Sequence, residues 1–304
     1  MRIKRTLATV AAAALATTGL VACSNESDDT TNAEGGDDTT TVKIGTTEAD
    51  QEAWRVFKDL AADNGITLDI VSFSDYSPVN EALAQGELDV NKFQHIKYLA
   101  EYNKASSNDL RVVGSTEIVP LALFWKDHDS LDGIDGEEIA IPNDTTNQAR
   151  AINLLKQKGL VELKPDAPLS PQPNDIDKDK SKVKVAPVGA EQTSSAYSEG
   201  KPAVINNSFL DRAGIDPHSA VAQDDPKSKE AEPYINVFAV RSEDADNQEL
   251  KDLAALWHSD EVQKAVEEDS AGTSIPVDRS AEELQDILKR LEEETDGADA
   301  NASK

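Results

Sequence analysis

The stretch Ile139-Ala140-Ile141-Pro142-Asn143-Asp144-Thr145-Thr146-Asn147-Gln148-Ala149-Arg150 decides how the chain is read. Ile139 to Ile141 reads as a buried strand. Pro142 removes a ladder donor, and Asn143-Asp144 is turn chemistry. Thr145 with Gln148 three residues later has the form of a capping box. It opens a helix whose apolar positions Ala151, Ile152, Leu154 and Leu155 precede Gly159 as a stop. Strand, tight loop and helix make an α/β unit, and in open α/β sheets ligands sit beyond the carboxyl ends of strands, where helix amino termini attract anions. Arg150, in the first turn, leans back toward that spot. On the residues alone it is either a solvated surface cation or a bidentate partner for a carboxylate ligand. A cation here opposes the helix dipole, a misfit that a bound anion would relieve. Asn147, one turn earlier, either caps the helix or assists the same carboxylate.

Upstream, the same grammar repeats. Thr41 to Thr47 alternates as a strand, Gln51 to Asn64 carries Trp54, Phe57, Leu60 and Ala61 at helical spacing, and Ile66 to Phe73 is a second strand. No hairpin signal separates the strands, so the crossover is parallel. A helix from Val79 to Gln85, a short strand from Leu88 to Val90, a helix from about His95 to Asn103 and a strand from Leu110 to Gly114 follow. The apolar run Ile118 to Trp125 reads as an exit into a second sheet, with strands near Ile139, Val183 and Ala203 and helices near Asn147 and Glu191. Tyr234 to Val240 resembles a return crossing, and helices from Asn247 to Trp257 and Asp260 to Glu268 belong to the first lobe again. A last helix spans Ala281 to Glu293. The expected fold class is α/β, two-lobed and periplasmic-binding-protein-like (type II), with two crossover strands and a central ligand cleft. Residues 42–122 and 240–293 form lobe 1, and 123–239 form lobe 2.

The amino terminus supplies an address. Residues 1–22 have a basic head (Arg2, Lys4, Arg5), an apolar run from Leu7 to Val21 and no acidic residue, which is a secretory signal. It ends Leu20-Val21-Ala22-Cys23, and Cys23 is the only cysteine of the chain. Leu-x-Ala-Cys at this place resembles a lipoprotein lipobox, making Cys23 the expected lipid (palmitate) attachment site and the extracytoplasmic face of the cell membrane the expected location. With one cysteine there is no intramolecular disulfide, so the core alone must supply stability. Residues 23–41 read as an acidic flexible tether and 294–304 as a disordered acidic tail. The formal charge is −28, and removing the three cations of the leader leaves 27 basic against 58 acidic side chains, or −31. Such a surface repels nucleic acid and anionic lipid as docking partners.

Enzymatic readings find little support. There is no Gly-x-Ser-x-Gly stretch, and His95, His128, His218 and His258 are scattered without metal-ligand spacing. No metal, cofactor or catalytic residue is expected.

Several stretches together resemble the NlpA family of lipoproteins: Phe73-Ser74-Asp75-Tyr76, Asn80-Glu81-Ala82-Leu83, Gly86 to Asn91 with Phe93-Gln94-His95 and Tyr98-Leu99, Pro142-Asn143-Asp144 with Thr146-Asn147 and Arg150, Val204-Ile205-Asn206, and Pro233-Tyr234-Ile235-Asn236. Phe-Gln-His in its context is the most specific of these. The resemblance covers about Val42 to Ala271. It implies a methionine-binding lipoprotein that serves the permease and ATPase of an ABC importer, with Arg150, Asn206 and Asn236 holding the amino acid's charged groups and Tyr76, Phe93 and His95 enclosing its thioether. Two departures stand out. The loop after the first strand, glycine- and proline-bearing in many members, is Thr46-Thr47-Glu48-Ala49-Asp50, and Lys201-Pro202 replaces an acidic residue before Val-Ile-Asn.

The physical chemistry points the same way. A free amino acid needs a cation for its carboxylate, carbonyl-type acceptors for its ammonium group and an apolar cage. Asparagine is a poor strand residue, so Asn206 and Asn236 either pair with the backbone or serve a ligand. Two other readings stay open. One is the same receptor for D-methionine, a methionine-containing dipeptide or another apolar amino acid, since a soft cage discriminates methylenes by only ~1–3 kcal/mol. The other is a surface interaction or adhesion lipoprotein.

Overall fold

Val42 and Ile44 are buried while Thr41 and Lys43 are exposed, the alternation that makes Thr40–Thr46 a half-covered strand, β1, until its last residues enter the interior. The computed structural model describes residues 40–302, with side chains to residue 294. The leader, Cys23 and the tether up to residue 39 lie outside the described residues. After β1 come α1 (Glu52–Asp63), β2 (Ile66–Ser72), α2 (Val79–Ala84), β3 (Val90–His95), α3 (Ile96–Ser106), β4 (Arg111–Ser115) and β5 (Glu117–Ile118). β1 pairs in parallel with β2, from Thr40 opposite Ile66 to Thr46 opposite Ser72, and with β3 on its other side.

Helix α1 is fixed by what it buries. Trp54 and Phe57 are fully enclosed, with Trp54 5.4 Å from Trp257 and Phe57 5.9 Å from Phe238, ring centre to ring centre. Each such side chain contributes ~1.5–3 kcal/mol of burial. Gly45 is set by a close approach, since a Cβ there would lie 2.5 Å from Leu88 Cδ1.

The chain then crosses into a second sheet through β6 (Ala122–Phe124), β7 (Glu138–Pro142), α4 (Thr145–Gln157), β8 (Lys184–Val188), α5 (Thr193–Ser198), β9 (Ala203–Ile205) and β10 (Ala222–Gln223). The order of this sheet is β10-β6-β9-β7-β8. β7 is parallel to β8 and β9, whereas β6 is antiparallel to β9. The return strand β11 (Asn236–Val240) inserts between β3 and β4, antiparallel to both, giving the first sheet the order β2-β1-β3-β11-β4. Helices α6 (Gln248–Leu256) and α7 (Asp260–Asp269), strand β12 (Ile275–Pro276) and helix α8 (Ala281–Ala302) complete the first lobe. This is the expected two-lobed, type II binding-protein fold.

Four local expectations need correction. The cap of α4 is Asp144, whose carboxylate accepts the Asn147 backbone N–H at 2.9 Å, and Thr145 is the first helical residue. A carboxylate complements the amino-terminal dipole better than a hydroxyl does. The strand expected at Leu88 to Val90 is β3, and it runs to His95 because β1 and β11 flank it, so Asn91 to Gln94 are buried despite their polarity. Asn236 to Val240 pair in the first sheet, so the second lobe ends before Asn236 rather than at residue 239. Finally, the last helix passes residue 293 and reaches Ala302, where a disordered tail was expected. Glutamate is a good helix former, and no breaker precedes Gly297.

Candidate ligand-binding site

The carboxyl ends of β1 and β3 in the first lobe and of β7 and β9 in the second all contribute to one cavity, lined among others by Glu48, Phe93, His95, Asn147, Arg150 and Asn206. It encloses about 50 Å³ of space open to the centre of a water molecule, several times the ~10–15 Å³ that one water requires. All seven candidate residues (Tyr76, Phe93, His95, Asn147, Arg150, Asn206 and Asn236) line it.

Arg150 is not in bulk solvent. Its side chain is 5% exposed and is held on three sides. Nε meets Asp224 Oδ2 at 2.6 Å, while Nη2 donates to Asp224 Oδ1 at 3.2 Å and to the Val119 carbonyl at 2.9 Å. The Tyr234 ring lies 4.1 Å from the guanidinium carbon. Nη1 has no hydrogen bond among the described residues, which leaves that end of the fork for a ligand anion. Asp224 is itself anchored, because its Oδ1 accepts the Leu121 backbone N–H at 2.9 Å.

A second network orients the amides. His95 caps α3, its Nδ1 accepting the Tyr98 backbone N–H at 3.0 Å. The ring proton therefore sits on Nε2, which faces Asn147 Oδ1 at 3.3 Å. Burial, and after it the nearby Arg150 charge, push the His95 pKa down to about 3, so the imidazole is neutral at physiological pH. Asn147 Oδ1 also accepts from Asn206 Nδ2 at 2.9 Å, and Asn147 Nδ2 donates to both oxygens of Asp144 at 3.0 and 3.1 Å. Asn147 is thus an organiser of the site rather than the cap. With its nitrogen committed, Asn206 keeps a buried Oδ1 that has no partner, a costly state unless a donor arrives. Asn236 opens β11, its Nδ2 donating to the Glu117 carbonyl at 3.1 Å.

Aromatic rings line the cavity as well. Tyr76 packs 5.8 Å from Phe93, 6.0 Å from Tyr98 and 4.9 Å from Phe209, and Tyr234 sits 5.1 Å from His95. Burial pushes the Tyr76 and Tyr98 hydroxyls well above the ordinary phenol range, keeping both neutral.

Asp224, Tyr98 and Tyr234 join the site with no sequence signal of their own. Tyr98 and Tyr234 stand inside the family-like stretches, but nothing in their spacing separates wall from core. Asp224 directly follows β10, 74 residues from Arg150. Among the described residues no group of three or more His, Cys, Asp or Glu side chains is arranged to hold a metal ion.

The chain is similar to several known proteins. The D-methionine-binding lipoprotein MetQ of Escherichia coli K12 is 33% identical over 230 residues, 74% of this chain and 83% of the relative. A crystal structure of protein PG110 from Staphylococcus aureus is 37% identical, covering 82% of this chain and 99% of that one, with a TM-score of 0.77. A nutrient-binding protein from Burkholderia cenocepacia, solved bound to methionine, is 31% identical over 77% of this chain and 99% of its own, with a TM-score of 0.71. Residues 42–278 match the NlpA lipoprotein family, and the chain belongs to it.

Proposed function

We propose that the protein is a lipid-anchored, extracytoplasmic receptor that closes two lobes on methionine and delivers it to the permease and ATPase of an ABC importer. The observation that carries this reading is the pairing, in one cavity, of a buried unpartnered acceptor, Asn206 Oδ1, with an unoccupied cationic donor, Arg150 Nη1. A zwitterionic α-amino acid supplies the two complements: its ammonium group donates to Asn206, and its carboxylate accepts from Arg150. The rings of Tyr76, Phe93 and Tyr98 suit a thioether, whose sulfur gains ~0.3–1.5 kcal/mol per ring contact. Support also comes from relatives named for binding D-methionine or solved with methionine bound. Cys23 is the lipid attachment site in this reading, and the protein acts as a carrier rather than a catalyst.

Titration calorimetry of the purified protein with L-methionine, D-methionine, a methionyl dipeptide, leucine and N-acetylmethionine tests the assignment. Tight binding of a free methionine with weak binding of the N-acetyl form is expected, since acetylation removes the positive charge and all but one N–H of the group that faces Asn206 and adds bulk in an enclosed cavity. Absence of binding by every amino acid would leave an interaction or adhesion role and overturn the transport reading.

A further inference from the structure

On the far side of β3 from Phe93 a group of buried charges faces the same cleft. The Lys92 side chain, 5% exposed, sits between Glu48 Oε2 and Glu117 Oε1, each at 2.9 Å, with its ammonium 4.7 Å from the centre of the Trp257 ring. Glu117 Oε2 accepts Trp257 Nε1–H at 3.1 Å. Burial works against the Lys92 charge, but the adjoining Glu117 and Glu48 carboxylates together outweigh it and raise the Lys92 pKa, keeping the ammonium protonated. One ammonium for two carboxylates leaves the group with net negative charge. Three of the four carboxylate oxygens are satisfied within the first lobe. The fourth, Glu48 Oε1, accepts the hydroxyl of Ser208 at 2.6 Å, and Ser208 belongs to the second lobe, two residues after the site asparagine Asn206.

Other contacts between the lobes differ in kind. Arg212 to the Ser74 carbonyl and His218 to the Ala271 carbonyl are exposed and involve no carboxylate, the Glu232 carboxylate meets Arg279 and Arg290 in partly exposed ion pairs, Lys97 donates to Ser170 Oγ at 3.0 Å, and the buried His95–Asn147 contact at 3.3 Å is uncharged. Among the described residues, only the Glu48–Ser208 bond joins a short, charge-assisted hydrogen bond to a buried ion network on one side and to a site-bearing loop on the other.

From this arrangement we propose that Glu48 is a closing latch, positioned by Lys92, Glu117 and Trp257, that takes the Ser208 hydroxyl when the lobes meet and so slows ligand release. The proposal rests on the two-lobed receptor reading above. Opening strips Ser208 from Glu48 but leaves the carboxylate on Lys92, so the acceptor stays aimed and pays little reorganisation on the next closure.

The test compares wild type, S208A and S208T in stopped-flow release of L-methionine. S208A should release about tenfold faster, as loss of a hydrogen bond to a charged acceptor implies, with association changed little. S208T, which keeps the hydroxyl, should restore the slow rate. Release by S208A within twofold of wild type, or no rescue by S208T, overturns the latch. If wild type takes up no L-methionine, the ligand assignment falls instead. The latch is then judged by X-ray scattering of ligand-free protein: a larger radius of gyration for S208A supports it, and equal radii overturn it.

Discussion

Replacing Arg150 by alanine removes two different interactions, and the structure allows them to be separated. The first is with the ligand. Nε and Nη2 are committed to Asp224 and Val119, so only Nη1 is left to meet a carboxylate, and the loss is that of a single charge-assisted bond, ~1.5–3 kcal/mol. That is roughly 10- to 150-fold in Kd. The second is with the fold. Asp224, 16% exposed at the side chain, would lose its counter-ion but keep the Leu121 N–H, which puts the cost at ~3 kcal/mol, the low end for breaking a buried pair. At this chain length that is a fall in melting temperature of roughly 6–12 °C. Adding Asp224→Asn to Arg150→Ala removes the stranded charge, so the double variant should recover most of the stability and none of the affinity. Calorimetric titration with methionine and thermal unfolding of the four proteins form the cycle. A Kd for Arg150→Ala within twofold of wild type, or recovery of affinity in the double variant, refutes the assignment of Nη1 to the ligand.

Asn206→Ala should weaken methionine binding at least tenfold yet leave binding of 4-(methylthio)butanoate, which has no donor at that carbon, nearly unchanged; titration with both ligands reads the difference. His95 gives a pH signature. Its pKa is lowered in the folded state to about 3 against ~6.5 unfolded, so the unfolded chain binds the extra proton first. The contribution of His95 is therefore complete above pH ~6.5 and is lost progressively down to pH ~3, by up to about 5 kcal/mol. Denaturant unfolding at several pH values should show a shallower acid slope in His95→Gln. Gly45→Ala forces a methyl against Leu88 and should cost ~1–3 kcal/mol by overpacking, measured by urea unfolding, with the methionine Kd unaltered in the folded fraction.

The parts of the molecule legible in its sequence are those governed by local periodicity. The parallel crossover from β1 to β2, the exit and return of the chain between two sheets, and the strand-loop-helix that carries Arg150 follow from spacing and turn residues, and they stand in the structure. Where tertiary pairing overrides local pattern, the sequence misleads. Asn91-Lys92-Phe93-Gln94 looks like loop because its polar residues give no alternation, but β1 and β11 close on both edges, and the polar groups are satisfied by Asn80, Glu48 and one another. The partners of Arg150 are illegible for a related reason. Asp224 and Tyr234 come from segments that spacing along the chain does not connect to α4.

The place of Arg150 in the topology bears on how binding is coupled to closure. Val119, whose carbonyl takes Nη2, stands on the first crossing between lobes; Asp224 follows β10 and is bonded to Leu121 on that same crossing; Tyr234, which covers the guanidinium face, lies two residues before the return strand β11. A cation anchored only within α4 would move with the second lobe and report nothing to the first. One gripped by both crossings cannot shift without straining the segments about which the lobes turn. A carboxylate arriving at Nη1 thus acts at the pivot, and a hydrogen bond such as Ser208 to Glu48, at the rim, acts with leverage on the same motion. Variants at the two places should therefore combine additively in Kd if the lobes close as rigid bodies, because pivot and rim share no atoms. Marked non-additivity in Arg150→Ala/Ser208→Ala would mean that the crossings deform and that closure is not a rigid rotation.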